Sequence, residues 1–308
     1  MATKEIRKVF LTATEAFKYN QKKHENQYVN EQREKLFNDG LNEYKKNKNN
    51  KDYKCDETIK AFDDKMISKG YQIESCSRKG GMGSSFDFEF ILAGFIKKTV
   101  ELKVLNGIRL PQLSDIYVGS YNLIPDEFNK FTEKWHPKLE QIKTELKIKE
   151  NVPTLQVLRK NICKTGKSDC KFLEELKDII KSNQKFREKL NTYSKEFISQ
   201  ILKDEEKNIS RDAIKKVYQD KLNCKDIIII YNKKTDNFTI KDNNKLDIDI
   251  ADIQLKSSKD KKHMIGFEVK FNITKNGKSE VKSTVIRLRW KNRNGVYGPA
   301  WKLDPIEK

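Results

Sequence analysis

The sequence predicts a mixed α and β fold, and three observations along its 308 residues point to it. Apolar and polar residues alternate in two runs within 86–105, which is the pattern of half-buried strands. Leu, Ile and Phe recur at helical spacing among charged residues over 125–223, where Pro137 and Pro153 are expected to separate helices. Runs rich in β-branched and aromatic residues return after residue 226, so a helical insertion is expected between two β-containing parts.

Composition divides the chain into four parts. Residues 1–50 are rich in Lys and Asn and predict a loosely packed N-terminal helical extension, which ends in the solvated tract KKNKNNKDYK. Residues 51–124 contain the alternating strands and are expected to form an α/β core. The helical insertion occupies 125–224, and residues 225–308 form a β-rich, basic C-terminal part.

The segment before the alternating strands is predicted to begin with a helix. This helix covers residues 56–69, with Asp56 as its N-cap and Gly70 as the residue that ends it. A strand with the sequence YQIES follows, and then a basic glycine-rich loop, SRKGGMGSS, over 77–85. The apolar face that the helix would bury contains Ile59, Phe62 and Met66.

Composition also excludes several classes of protein. No run of about 18 apolar residues exists, so a membrane-spanning helix is not expected. The N-terminal segment lacks the apolar stretch of a signal peptide, which favours an intracellular location. The five cysteines are odd in number and form no CxxC pair, so neither a disulfide framework nor a zinc finger is expected.

The formal net charge of +19 favours a polyanionic partner, and nucleic acid is the commonest polyanion inside cells. The alternative is that the charge reflects a generally lysine-rich composition, because Lys outnumbers Arg by 54 to 10. The positions of the few arginines are therefore more informative than the total charge.

Residues 256–308 contain 14 basic and 5 acidic residues, and three of the ten arginines are clustered there. A strand that runs into a turn carrying Arg, Lys and Asn suits contact with phosphates or base edges. Trp290 and Trp301 could stack on an exposed base, although core packing is the commoner role of Trp. The predicted DNA-contacting residues are Arg287, Arg289, Lys291, Asn292 and Arg293.

The two alternating runs within 86–105 are predicted to form an antiparallel hairpin with acids on its polar face. If the turn centres on Gly94, Asp87 lies directly opposite Glu101, with their Cβ atoms about 5 Å apart. Lys103 lies two residues further along the same face. Two unshielded carboxylates at that distance repel each other, so a cation is expected between them.

These three side chains suit the hydrolysis of a phosphodiester. The carboxylates of Asp87 and Glu101 offer the hard oxygen ligands that Mg²⁺ prefers, and the metal lowers the pKa of a bound water. The Lys103 ammonium can position that water and stabilise developing negative charge. The alternative is that Glu101 and Lys103 form an ordinary ion pair on a solvated strand face.

At these residues the sequence resembles the PD-(D/E)xK nuclease superfamily in its restriction-endonuclease-like form. The pattern stands here as GMGSSFDFEF followed by TVELKVLNG, with Asp87 as the motif aspartate and Glu101 and Lys103 as the E-x-K. Phe86 occupies the position of the motif's proline. The resemblance covers residues 56–120 and implies a core with a central mixed sheet, Mg²⁺-dependent cleavage of DNA, and a catalytic site formed by these three residues, with the two acids as metal ligands.

Two features of this site stay open at the level of sequence. Members of the superfamily often add an acidic residue from the preceding helix, for which Glu57 and Asp63 are candidates, and Glu89 could join from the strand. A solvated position is the alternative for each of them.

A second E-x-K, formed by Glu268 and Lys270, competes with the first. Asp249 or Asp252 would supply its upstream acid. No glycine-rich segment precedes it, and the stretch SSKDKKH separates it from those acids, so the first set is favoured.

The leading hypothesis is a Mg²⁺-dependent, site-specific endonuclease of the type II restriction class that acts on double-stranded DNA. Cleavage of both strands implies a homodimer, because one site cuts one strand at a time. The alternatives are a non-catalytic basic nucleic-acid-binding protein, a PD-(D/E)xK nuclease of DNA repair or recombination, and a structural protein whose charge reflects composition alone.

Overall fold

The computed structural model describes residues 8–21, 25–79, 86–105, 113–162, 168–242, 247–275, 278–290 and 295–306. The chain divides into two compact units, each built from two separate stretches of sequence. Unit 1 consists of Met1–Pro111 and Asp220–Lys245, and unit 2 consists of Gln112–Gln219 and Leu246–Lys308.

Eight α-helices and ten β-strands are formed by the described residues. The helices are α1 (Ala13–Lys18), α2 (Asn26–Asn47), α3 (Glu57–Ile67), α4 (Glu127–Leu146), α5 (Leu155–Ile162), α6 (Lys171–Ser182), α7 (Gln184–Asp204) and α8 (Arg211–Asn223). The strands are β1 (Ile73–Arg78), β2 (Phe88–Leu92), β3 (Ile96–Leu105), β4 (Ser114–Tyr117), β5 (Ile227–Asn232), β6 (Asn237–Asp242), β7 (Asp247–Ser257), β8 (Met264–Lys275), β9 (Lys278–Trp290) and β10 (Pro299–Leu303). The mixed α and β character predicted from the sequence is confirmed.

Unit 1 is built on a mixed five-stranded sheet with the order β1-β2-β3-β5-β6. The first three strands are antiparallel neighbours, β5 lies parallel to β3, and β6 is antiparallel to β5. The parallel pair joins strands that lie far apart in sequence, since the chain leaves unit 1 after β3 and returns through α8. The sequence analysis placed β5 and β6 in a C-terminal part, whereas they complete the sheet of the hairpin.

The core of unit 1 is aromatic and lies on one face of this sheet. Phe88 and Phe90 of β2 are fully buried there, and Phe37 of α2 contacts both Phe62 of α3 and Phe88. The predicted apolar stripe of α3 is confirmed, because Ile59, Phe62 and Met66 are all fully buried. Aromatic side chains bury large apolar areas, so this cluster supplies much of the stability of the unit.

Helix α3 begins where the sequence analysis predicts. The Asp56 side chain accepts hydrogen bonds from the backbone N–H groups of Thr58 and Ile59, which would otherwise lack partners at the helix start. Gly70 follows the end of the helix with φ +82°, a left-handed conformation that favours glycine.

Unit 2 combines the helical insertion with a second sheet, which is entirely antiparallel and has the order β4-β10-β9-β8-β7. Helix α7 packs on β8, and the Met264 N–H at the start of that strand donates to Ser199 Oγ at 2.9 Å. Trp135, Phe197 and Trp290 form an aromatic cluster in the core of this unit.

The expectation that Pro137 separates two helices is wrong, because α4 continues through it. The buried stripe of this helix extends on both sides of the proline, so tertiary packing offsets the lost backbone hydrogen bond. The buried apolar residues of this stripe are Phe131, Trp135, Leu139, Ile142 and Leu146. None of the helices within the described ranges combines the length and the apolar run required to cross a bilayer.

Replacing Phe62 with alanine is expected to lower the free energy of unfolding by about 3–5 kcal/mol, because it leaves a cavity among the aromatic side chains of unit 1. Chemical denaturation of the full chain measures the change. Ile67→Ala on the same helix is the matched control, since that side chain is 54% exposed and its loss should cost less than about 0.5 kcal/mol. Equal effects of the two substitutions would contradict this description of the core.

Candidate active site

The β2–β3 hairpin brings the predicted site residues together on the face of the sheet opposite the aromatic core. Phe88 pairs with Val100 and Leu92 with Ile96 around a turn at Gly94, which is the register predicted from the sequence. Asp87 directly precedes β2, and its N–H donates to the Val100 carbonyl at 2.9 Å. The bond goes to Val100 and not to Glu101, so the regular pairing of the two strands begins at Phe88, and Asp87 lies beside β3 where the charge of Glu101 acts on it.

The Asp87 carboxyl is held by the backbone of β3. Its Oδ2 accepts a hydrogen bond from the Leu102 N–H at 2.8 Å. Burial and the neighbouring charge of Glu101 raise the pKa of Asp87 to about 6, against the opposing effects of Lys103 and the Leu102 N–H. Burial is the larger cause, and the charge of Glu101 adds to it, so ionisation of Asp87 is disfavoured at this position.

The Glu101 carboxylate is buried on the face of the sheet opposite the aromatic core, and it pairs with two ammonium groups. Its side chain is only 10% exposed. Oε1 contacts Lys103 Nζ, two residues along the same strand, and Oε2 lies 3.2 Å from Lys225 Nζ. A carboxylate buried to this extent is stable only with such compensation, because desolvation strongly disfavours an unpaired charge.

Lys103 keeps its proton at neutral pH. Burial lowers the pKa of this amine, but the charges of Glu101 and Asp87 and the hydrogen bond to Glu101 outweigh that effect, so the pKa is raised overall. Lys103 is therefore an ammonium donor in this site.

Lys225 was not identified in the sequence analysis, and it reaches the site through the parallel pairing of β5 with β3. It directly precedes Asp226, whose carboxylate accepts from both the N–H and the hydroxyl of Thr99 on β3. The Asp226 N–H donates in turn to the Thr99 carbonyl at 2.9 Å. A lysine at the entrance to the buried strand IIIIY was the only available signal in the sequence.

Glu34 of α2 is a further acid near the site that the sequence analysis did not identify. Its Oε2 accepts from Arg78 Nε at 3.0 Å, and Arg78 ends β1 beside β2. Its negative charge raises the pKa of both Asp87 and Lys103. Glu34 therefore adds to the local negative field while its own carboxylate is paired with an arginine.

The candidates for a further acid at this site have other environments. Asp63 is buried in an ion pair with Lys45 of α2, and Glu57 lies exposed at the start of α3. Glu89 lies 4.0 Å from Lys79 and is partly exposed. Within the described ranges, no group of three or more His, Cys, Asp or Glu side chains is arranged to hold a metal ion.

The chemistry of the two neighbouring carboxylates nevertheless suits a hard divalent cation. Asp87 and Glu101 supply oxygen donors from neighbouring strands, and their mutual repulsion would be relieved by a cation. Mg²⁺ keeps several waters and commonly uses only one or two protein carboxylates, so two donors suffice for its protein ligands.

The second E-x-K has the contacts of a solvated sheet face. Glu268 lies 2.8 Å from Lys256, and Lys270 lies 3.3 Å from Asp252 on the neighbouring strand β7. Asp249 pairs with Lys215 of α8 at 3.2 Å. Each of these charges is thus paired with a base or acid of unit 2, across the sheet or from α8, and the acids are not gathered at one point.

The predicted DNA-contacting arginines of β9 form ion pairs within unit 2. Arg289 lies 2.7 Å from Asp115 of β4, and Arg287 contacts Asp304, although both arginine side chains stay more than a third exposed. Trp290 and Trp301 are buried in the core, so base stacking by these two side chains is not supported. Lys291, Asn292 and Arg293 lie outside the described residues, as does most of the glycine-rich loop, at 80–85.

Comparisons of this chain with protein-family models, with curated proteins and with solved structures find no match.

Asp87→Asn is expected to raise the free energy of unfolding near neutral pH by about 1–2 kcal/mol. This value is smaller than the full pKa shift would give, because the carboxyl is only partly buried and solvent screens its charge. The pKa is raised from 3.8 to about 6 on folding, so the ionised carboxylate destabilises the folded state above that pH. Below the unfolded value the carboxyl is protonated in both states and the advantage of the variant disappears. Chemical denaturation at several pH values measures this dependence.

Asp64→Asn is the matched control, since Asp64 is exposed on α3. It should change stability little at any pH. A loss of stability in Asp87→Asn near neutral pH, or a gain that does not diminish as the pH falls, would contradict the assigned repulsion between Asp87 and Glu101.

Proposed function

We propose that this protein is a Mg²⁺-dependent, site-specific endonuclease that hydrolyses phosphodiester bonds of duplex DNA. The observation that carries the proposal is the convergence of Asp87, Glu101 and Lys103 on one face of the β2–β3 hairpin. A buried acid and a partly buried one that repel each other cost folding stability, and such a cost is commonly retained at functional sites.

Asp87 and Glu101 would hold the cation in this proposal. When bound at such a site, Mg²⁺ polarises a phosphoryl oxygen and lowers the pKa of a coordinated water. The Leu102 N–H orients Asp87 by its hydrogen bond to Oδ2, so the backbone of β3 positions both acids. The raised pKa of Asp87 belongs to the protein without a cation, and the charge of a bound cation would lower it.

Lys103 would act on the reacting phosphate as a fixed positive charge. Hydrolysis adds the oxygen of water to phosphorus while the bond from phosphorus to the leaving oxygen breaks, and negative charge accumulates on the phosphoryl oxygens. An ammonium that keeps its proton can donate hydrogen bonds to those oxygens and can orient the attacking water.

Duplex DNA is proposed as the substrate because of the overall charge of +19. To bind a phosphate, Arg287 would have to leave its ion pair with Asp304, and Arg289 its ion pair with Asp115. The general excess of lysine therefore supports the retention of DNA better than these two arginines do. Cleavage of both strands calls for two copies of the chain, and the proposed place of action is inside the cell, where the target DNA is. A repair or recombination nuclease would use the same residues.

One observation favours a second candidate, a non-catalytic nucleic-acid-binding protein. Both oxygens of Glu101 pair with lysines, which is also the arrangement of a purely structural charge network. This candidate predicts salt-sensitive retention of DNA without any cleavage product in Mg²⁺ or Mn²⁺.

Purified full-length protein is expected to cut duplex DNA in Mg²⁺ and to be inactive with a chelator. Asp87→Ala and Lys103→Ala should each lower the cleavage rate by about 10²–10³-fold or more, while retention of DNA on a gel stays within a few fold of the unmodified chain. Sequencing of the fragment ends reports the cleaved positions and tests site specificity.

The second E-x-K provides the matched control. Glu268→Ala and Lys270→Ala remove the same residue types from a solvated sheet face. Proteins with either substitution should cleave DNA at the same rate as the unmodified chain. Unchanged cleavage by both Asp87→Ala and Lys103→Ala would contradict the assigned site. DNA retention without cleavage by the unmodified chain would favour the non-catalytic candidate.

A further inference from the structure

A second ammonium group lies beside the proposed metal ligand Glu101, and the E-x-K motif does not account for it. Lys225 Nζ is 3.2 Å from Glu101 Oε2, whereas Lys103 contacts the other oxygen, Oε1. Each oxygen of this carboxylate is therefore already paired with a positive charge.

The two lysines differ in their freedom to move. The Lys225 side chain is 8% exposed, against 33% for Lys103. Because a third of the Lys103 side chain is exposed, exchanging Glu101 for a substrate phosphate costs this lysine less desolvation. Lys225 would have to leave a buried ion pair to do so, which carries a large desolvation cost for both partners.

The backbone at Lys225 is also fixed to the strand that carries Glu101. The N–H of the neighbouring Asp226 donates to the carbonyl of Thr99, two residues before Glu101, and the Asp226 carboxylate accepts from the Thr99 N–H at 2.8 Å and from the Thr99 hydroxyl at 3.0 Å. Ile227 and Ile228 then pair in parallel with Val100 and Glu101. These contacts tie the position of Lys225 to that of the Glu101 carboxylate.

We propose that Lys225 is a positioning residue that takes the place of a second divalent cation at Glu101, so that the active site holds one metal ion per chain. Lys225 stays on Oε2 and orients the carboxylate, whereas Lys103 yields Oε1 to the metal ion, whether or not a substrate is bound. This inference rests on the proposed function of the same site.

Electrostatics supports a single ion. A first divalent cation meets two carboxylates, whereas a second one at Oε2 would meet the fixed Lys225 ammonium and the first cation, both of like charge. Two carboxylates supply too little negative charge to compensate two divalent ions in addition to that lysine. The other near acid, Glu34, is occupied by Arg78.

The test measures the binding of Mn²⁺ to the full-length chain without DNA. Calorimetry gives the affinity and stoichiometry, and electron paramagnetic resonance measures the ion that stays free. The unmodified chain is expected to bind one Mn²⁺ in a manner that Asp87→Asn and Glu101→Gln abolish. Lys225→Met should bind the first ion at least about tenfold more tightly, because a neighbouring positive charge is lost, and should admit a second ion at higher concentration.

Lys225→Gln provides a second uncharged variant that keeps a hydrogen-bond donor toward Glu101, in case the methionine variant does not fold. Its affinity for the first Mn²⁺ and its binding of a second ion should match those expected for Lys225→Met. Lys225→Arg keeps the positive charge, so it should bind one Mn²⁺ with an affinity within about threefold of the unmodified chain. Lys234→Met, on the exposed turn after β5, removes the same charge from the surface of unit 1 and should leave Mn²⁺ binding unchanged.

Two results would overturn the inference while leaving the proposed function intact. The first is binding of two Mn²⁺ ions per unmodified chain, both dependent on Glu101. The second is a folded Lys225→Gln variant with unchanged or weaker affinity, which would make Lys225 a purely structural residue. Absence of any Mn²⁺ binding that depends on Asp87 would instead overturn the proposed function, and this inference with it.

Discussion

The buried carboxylate of Glu101 is the constraint around which unit 1 is organised. It lies on β3, a central strand, where neighbouring strands restrict access of water. A charge in that position must be compensated by the protein, and the compensation comes from Lys103 on the same strand and Lys225 at the entrance to β5. Correct pairing of β3 with β5 and neutralisation of Glu101 therefore depend on each other.

The two faces of β3 have opposite chemistry because side chains alternate along a strand. Val100 and Leu102 pack into the aromatic core with Phe88 and Phe90. Glu101 and Lys103 point to the other face, where Asp87 arrives from the start of β2. The rigid core thus fixes the backbone, and the backbone fixes the separation of the charged groups, which is the support that the proposed catalytic site would require.

Charge is arranged differently in unit 2. Its sheet pairs acids with bases across neighbouring strands, as in Lys256 with Glu268 and Lys270 with Asp252. Partly exposed pairs of this kind contribute little to stability, and they leave the overall positive charge of the chain as a diffuse field. A diffuse field suits non-specific attraction of a polyanion, whereas the compact group of charges in unit 1 suits chemistry at one point.

Local sequence determined the β2–β3 hairpin, its register, the Asp56 cap and the apolar stripe of α3, because each depends on residues that are neighbours in the chain. It also determined that Asp87, Glu101 and Lys103 share one face. Only the tertiary structure decided that β5 lies beside β3 and that α2 covers β1, and these two placements bring Lys225 and Glu34 to the site. Parallel pairing and helix packing join distant segments through buried surface, and no local pattern of residues encodes which segments meet.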